Sequence, residues 1–91
     1  MDSAEIKYIN NLLKSNRVTE ANERLNNLVD EDSIDYWMLK GSIEQKNQNW
    51  GAALNAFLKV LEIDKDNKEA QNSIHLIQNI LNFWNPEMFN P

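Results

Sequence analysis

Apolar residues recur at helical spacing along most of the chain, and polar stretches separate them into five segments. In the first segment Ile6, Ile9 and Leu12 lie three residues apart, which places them on one face of an α-helix. Only two glycines and two prolines occur in the 91 residues, and both prolines lie within the last six. Because these residues are the main breakers of helices, we predict an all-α protein that stays helical as far as Pro86.

Polar and capping residues divide this pattern into individual helices. The polar stretch 14–17 ends the first helix, and Thr19 has a side chain suited to the N-cap of the second. The acidic run 30–32 favours the positive end of a following helix. Ser33 comes directly after it and is a good N-cap. We therefore predict a third helix over about 34–46, ending in a tight turn.

The last two helices are predicted from the same signals. Apolar residues at helical spacing indicate a fourth helix over about 51–63. Asp66 and Glu69 have the spacing of a capping box, which predicts the start of a fifth helix. This helix should stop before Pro86, because the residue that precedes a proline disfavours helical backbone geometry.

A 32-residue repeat links the second predicted helix to the fourth. A period of about this length indicates stacked helical hairpins. Such folds usually hold partners rather than perform chemistry. The matched pairs are Ala21 with Ala53, Leu25 with Phe57 and Leu28 with Val60.

The second hairpin, 34–67, resembles a tetratricopeptide repeat (TPR), a helix–turn–helix unit of roughly 34 residues. Lys65 departs from the family pattern, since it stands where the family usually has a proline. Lys40 and Glu44 occupy positions that the family normally fills with Leu and Tyr. The positions that match the family are Trp37, Gly41, Trp50, Ala53 and Phe57.

This resemblance implies a domain organisation for nearly the whole chain. Residues 2–33 resemble a degenerate first repeat, and residues 68–83 resemble the single helix that commonly closes such an array. The expected fold is then a right-handed α-solenoid fragment of tandem TPR-like hairpins. It would form one domain over 1–83, followed by an aromatic, Asn-Pro-containing C-terminal tail over 84–91.

In the TPR family the first helix of each repeat lines a concave groove that often binds a peptide. The resemblance therefore implies a protein-interaction module or adaptor that takes a peptide or helix in this groove. It is equally possible that another segment of the same chain covers the groove, so that no foreign peptide binds there. The groove positions carried over from the family are Ile6, Asn10, Leu13, Met38, Leu39, Ser42, Lys46, Asn72, Leu76 and Ile80.

Some TPR domains grip a chaperone's C-terminal carboxylate through a clamp of Lys, Asn and Arg residues. Asn10 matches the first asparagine of that clamp. Ile6 stands where the clamp has a lysine, and Glu69 and Ser73 stand where it has later basic residues. The resemblance therefore argues against a chaperone-tail ligand.

The C-terminal tail is unusually rich in large apolar side chains. Burial of each one contributes about 1.5–3 kcal/mol, so we predict that Trp84, Met88 and Phe89 pack against protein. They could fold back over Leu76 and Ile80 or over the fourth helix, or they could insert into a second copy or another protein. The second possibility gives an alternative function, a self-assembling homodimer without a foreign peptide.

The composition and charge of the chain exclude several classes of protein. The net charge of −5 argues against a nucleic-acid partner, because phosphate binding relies on clustered Lys and Arg. Apolar residues make up 42% of the chain but form no run long enough for a membrane span. Residues 1–20 lack the apolar core of a secretory signal, so a cytoplasmic protein is expected.

Candidate chemistry is sparse. The chain has no cysteine, which removes disulfides and thiolate metal sites. His75 is the only histidine and is expected on a helix surface or in packing. The paired acids at 30–32 and 64–66 lack the spacing of a calcium loop. We therefore expect no enzyme activity, no metal and no cofactor.

Overall fold

The structure, a computed structural model, describes residues 1–84, apart from the side chain of Trp84. This part of the chain contains five α-helices and no strand, so the all-α prediction is confirmed for it. The helices are α1 (Ser3–Lys14), α2 (Val18–Asn26), α3 (Ile34–Lys46), α4 (Trp50–Ile63) and α5 (Lys68–Trp84).

Two connections between helices have the same backbone geometry. Asn16 after α1 and Gln48 after α3 both adopt left-handed φ angles, of 60° and 58°. In both turns the amide of the residue that follows, Arg17 or Asn49, donates a hydrogen bond of 2.8 Å to the carbonyl five residues earlier in the chain. This is the Schellman ending, which satisfies carbonyls that a helix end leaves free. The two turns lie 32 residues apart, so the sequence repeat corresponds to a repeated turn.

Side chains cap three of the helices, and one predicted cap is confirmed. The Ser33 hydroxyl accepts a hydrogen bond from the amide of Tyr36 at 3.2 Å and fixes the start of α3. The start of α5 differs from the prediction, because Asn67 is its cap. The Asn67 Oδ1 accepts from the amide of Ala70 at 2.9 Å, so the predicted Asp66 capping box is wrong.

The predicted N-cap of α2 is also wrong. This helix begins at Val18, one residue before Thr19, and no side chain caps it. The Schellman turn after α1 brings the backbone directly into helical geometry at Val18. Thr19 is therefore already inside the first turn, where its hydroxyl cannot act as the N-cap.

The core consists of two clusters of buried apolar side chains. Trp37 of α3 packs partly buried against both clusters and joins them. Its indole Nε1 also donates to the carbonyl of Glu31 at 2.8 Å, which ties α3 to the preceding connection. The first cluster contains Ile9, Leu12, Leu13, Ala21, Leu25, Tyr36, Leu39 and Ile43. The second contains Ala53, Phe57, Val60, Ala70, Ile74 and Ile77.

Helices α3 and α4 pack closely against each other at Gly41. A Cβ atom at this position would lie 2.6 Å from Cζ of the Phe57 ring, which is too short for a real contact. Phe57 is only 1% exposed, so its ring fills the space that the missing side chain leaves. Gly41 is therefore required by packing, since its backbone is ordinary helix.

An exposed ion pair connects α1 to α2. Arg24 donates two hydrogen bonds to the carboxylate of Glu5, at 3.0 and 2.8 Å. Its guanidinium also lies 5.3 Å from the centre of the Tyr8 ring. The hydrogen bonds with Glu5, followed by its negative charge, raise the pKa of Arg24. The pair orients the two helices at the surface, above the core that holds them together.

Within residues 1–84, none of the helices combines the length and the apolar character needed to cross a bilayer.

Candidate partner-binding groove

Helices α1, α3 and α5 contribute side chains to one surface cavity of about 150 Å³, which we name the α1–α3–α5 groove. Three helices that are separate in sequence meet here, so the site depends on the tertiary fold. Its lining residues are Ile6, Asn10, Asp35, Met38, Leu39, Ser42 and Glu69.

The floor of the groove is apolar. Ile6 comes from α1, and Met38 and Leu39 come from α3. Leu39 is only 4% exposed and also belongs to the first core cluster. Ile6 and Met38 are partly buried, so each has one side in the core and another toward the groove. Methionine is flexible and polarizable, which suits it to partners of varied shape.

Polar groups line the rim above this floor. Asn10 contributes an exposed amide from α1, and Ser42 contributes a partly buried hydroxyl from α3. Asp35 and Glu69 are exposed carboxylates in the first turns of α3 and α5. Apolar floor and polar rim together can bury an apolar side chain while they orient the chain that carries it.

Five of the ten groove residues expected from the sequence line this cavity. Among the other five, Lys46 and Asn72 are exposed, Ile80 is partly buried and Leu76 is 49% exposed, but none of these four borders the groove. The remaining residue, Leu13, lies one turn after Ile9 and packs in the first core cluster. It is 5% exposed and does not line the groove, so its contact with a partner stays a prediction.

The predicted tail contacts cannot be placed in the same way. The side chain of Trp84 and residues Met88 and Phe89 lie outside the described part of the chain.

Asp35 and Glu69 line the groove but are absent from the groove positions expected from the sequence, although Glu69 was noted at a clamp position of the family. A signal for both was present. Asp35 precedes Met38 by three residues, and Glu69 precedes Asn72 by three, so each shares a helix face with an expected groove position. Acids in the first turn of a helix also favour the helix dipole, so their position alone does not indicate a ligand.

Other cavities have less suitable chemistry for a partner. One of about 300 Å³ contains Asp30, whose carboxylate is already 3.5 Å from the N-terminal ammonium of Met1. Another of about 300 Å³ is lined by Leu54, Gln78, Leu81 and Asn82, and none of these described residues is charged. The α1–α3–α5 groove differs from both, because it joins apolar side chains to two carboxylates, Asp35 and Glu69, that form no ion pair within residues 1–84.

The described residues offer little for catalysis. No group of three or more His, Cys, Asp or Glu side chains in residues 1–84 could hold a metal ion. His75 is exposed on α5 and does not line the groove. The arrangement at the groove can bind and orient a chain.

Comparison with family models, with curated proteins and with solved structures found no match to this chain.

Proposed function

We propose that this chain is a non-enzymatic protein-interaction module of the tetratricopeptide-repeat type, which binds a peptide or helix of another protein in the α1–α3–α5 groove. One observation supports this more than any other. Ile6, Asn10, Met38, Leu39 and Ser42 were expected to face a partner from the family resemblance, and all five line a single cavity.

The size of the groove also favours a peptide over a small metabolite. Sites for small molecules usually enclose about 300–1,000 Å³ and bury most of the ligand. The volume of the groove is about 150 Å³. This volume can hold one or two side chains of an extended peptide or of a helix. A peptide can anchor one or two residues in such a space and draw further affinity from contacts along the rim.

Details of the fold support the repeat interpretation. The Gly41–Phe57 contact joins two positions on which the resemblance rests, and it lets α3 and α4 pack closely. The matching turns at Asn16 and Gln48 show that α1–α2 and α3–α4 are connected alike. Two hairpins followed by a fifth helix agree with the two repeats and closing helix that the resemblance implies.

Neighbouring asparagines on α1 provide the test of this function. Asn10 lines the groove, whereas Asn11 is also exposed but does not line it. In the Asn10→Phe variant the larger ring should fill the groove without disturbing the core. Peptides selected from a random displayed library on the wild-type protein should therefore bind this variant at least about tenfold more weakly, a loss of about 1.4 kcal/mol.

The Asn11→Phe variant is the matched control, because it adds the same ring to the adjacent exposed position. It should bind the selected peptides as well as wild type does in fluorescence anisotropy titrations. Equal binding by both variants would reject the groove as the binding site. A selection that enriches no peptide would reject the proposed function itself.

Self-association is a second candidate, favoured by Leu76. This side chain is 49% exposed on α5, one turn before the partly buried Ile80. If the module acts on foreign peptides, light scattering over a dilution series should give the monomer mass throughout. A dimer that survives dilution in wild type and dissociates in Leu76→Glu would instead favour assembly.

A further inference from the structure

We infer that the partner of the α1–α3–α5 groove presents a lysine or arginine next to an apolar residue. This inference rests on the proposed function and specifies its ligand. It comes from two carboxylates in the groove, Asp35 and Glu69, and from the lack of any basic residue among the side chains that line the groove with them.

The two acids come from different helices, and both line this one cavity. Asp35 is in the first turn of α3, and Glu69 is in the first turn of α5. Within residues 1–84 neither takes part in an ion pair or a side-chain hydrogen bond. The rim therefore carries two negative charges that the described protein does not neutralise.

Several other acids on the surface already have cationic partners. Glu5 pairs with Arg24 at 2.8 Å, and Glu44 pairs with Lys40 at 3.6 Å. Glu23 and Asp32 form no ion pair within residues 1–84, as is true of the groove acids, but neither lines the groove. The distinguishing property of Asp35 and Glu69 is thus their shared position above an apolar floor.

Lysine and arginine match this combination of surfaces. Their methylene stems bury against apolar groups while the charged head reaches polar surroundings. In the groove a stem can lie on Ile6 and Met38, with the head between the two carboxylates. An adjacent apolar residue of the partner would then meet the rest of the floor. The net charge of −5 draws a basic segment toward the protein over longer distances.

The helix dipole gives the competing explanation for these acids. A carboxylate in a first turn stabilises its helix whether or not a ligand exists. On this account the Asp35→Asn/Glu69→Gln variant would lose stability and keep its peptide preference. The two explanations therefore predict different results for the preference of the protein for a basic residue in the peptide, and a measurement of this preference decides between them.

The experiment uses peptides whose binding the Asn10→Phe substitution blocks. Selected sequences should be enriched in Lys or Arg beside an apolar residue. Replacing that basic residue of the peptide with Gln should weaken binding to wild type by about threefold to tenfold, the scale of one or two partly solvated ion pairs. With Asp35→Asn/Glu69→Gln the same peptide change should alter binding less than about twofold.

The Glu23→Gln/Asp32→Asn variant is the control, since it removes one Asp and one Glu charge away from the groove. It should keep the full preference for the basic peptide. If the groove variant fails to fold, the peptide substitution on wild type and its loss with added salt still test the charge. Groove-dependent peptides without a basic residue would overturn this inference and leave the proposed function standing. The absence of groove-dependent peptides would overturn both.

Discussion

The Phe57→Ala variant is expected to lose about 3–5 kcal/mol of unfolding free energy, the usual cost of truncating a buried aromatic residue. Phe57 is 1% exposed and lies in the second core cluster, where it also occupies the space beside Gly41. Its removal would leave a cavity between α3 and α4. The total unfolding free energy of a small domain is often only about 5–15 kcal/mol. Much of the variant should therefore be unfolded at moderate urea concentrations.

Urea denaturation followed by far-ultraviolet circular dichroism measures this loss. Leu58→Ala is the matched control, because Leu58 is the next residue of α4 and is 43% exposed. Its side chain loses little burial, so the variant should be destabilised by less than about 1 kcal/mol. Similar losses for the two variants would contradict the placement of Phe57 in the core.

Gly41→Ala and Gly51→Ala are expected to change stability in opposite directions. An alanine Cβ at position 41 would lie 2.6 Å from a ring carbon of Phe57, and overpacking of this kind costs about 1–3 kcal/mol. At position 51 the added Cβ has no described neighbour within 4 Å beyond the adjacent residues and the backbone of its own helix. Alanine there should raise the unfolding free energy by about 0.4–1 kcal/mol, since it restricts the unfolded chain.

The two glycine variants control for each other, because both replace a helical glycine with alanine. Melting temperatures would show the opposite signs directly. The combination Gly41→Ala/Phe57→Leu should lose less than the sum of its single variants, because the smaller leucine leaves room for the new methyl group. Additive losses, or a stabilised Gly41→Ala, would show that the close approach does not hold in solution.

The helices were predictable because their signal is spread over many residues. Apolar spacing and Ser33 together predicted a third helix over about 34–46, and α3 runs over Ile34–Lys46. The 32-residue repeat likewise had a structural counterpart in the turns at Asn16 and Gln48. Many residues contribute to the apolar periodicity of each helix, so one unusual residue does not remove the helical signal.

Single caps were less predictable, because neighbouring residues have nearly the same chemistry. Asp66 and Asn67 both carry an oxygen that can accept from a helix amide, and the backbone selects Asn67. Thr19 lost its expected role when the preceding turn started α2 one residue earlier. Sequence signals of this kind fix a helix start to within a residue or two.

The groove was predictable only in part, for a different reason. The family resemblance supplied helix faces, and of its three α1 positions Ile6 and Asn10 line the cavity, whereas Leu13 packs in the core. Asp35 and Glu69 line the same cavity although they are 34 residues apart in sequence. Their shared position depends on how the helices pack, which no local sequence pattern encodes.

Leu39 belongs at once to the core and to the floor of the groove. A residue with two such roles can change little during evolution, because a substitution that alters the floor also disturbs folding. Asn10, Asp35 and Glu69 at the rim are exposed and free of that constraint. If the groove binds a peptide as proposed, exchange of rim residues would therefore change its specificity while the apolar floor stays the same.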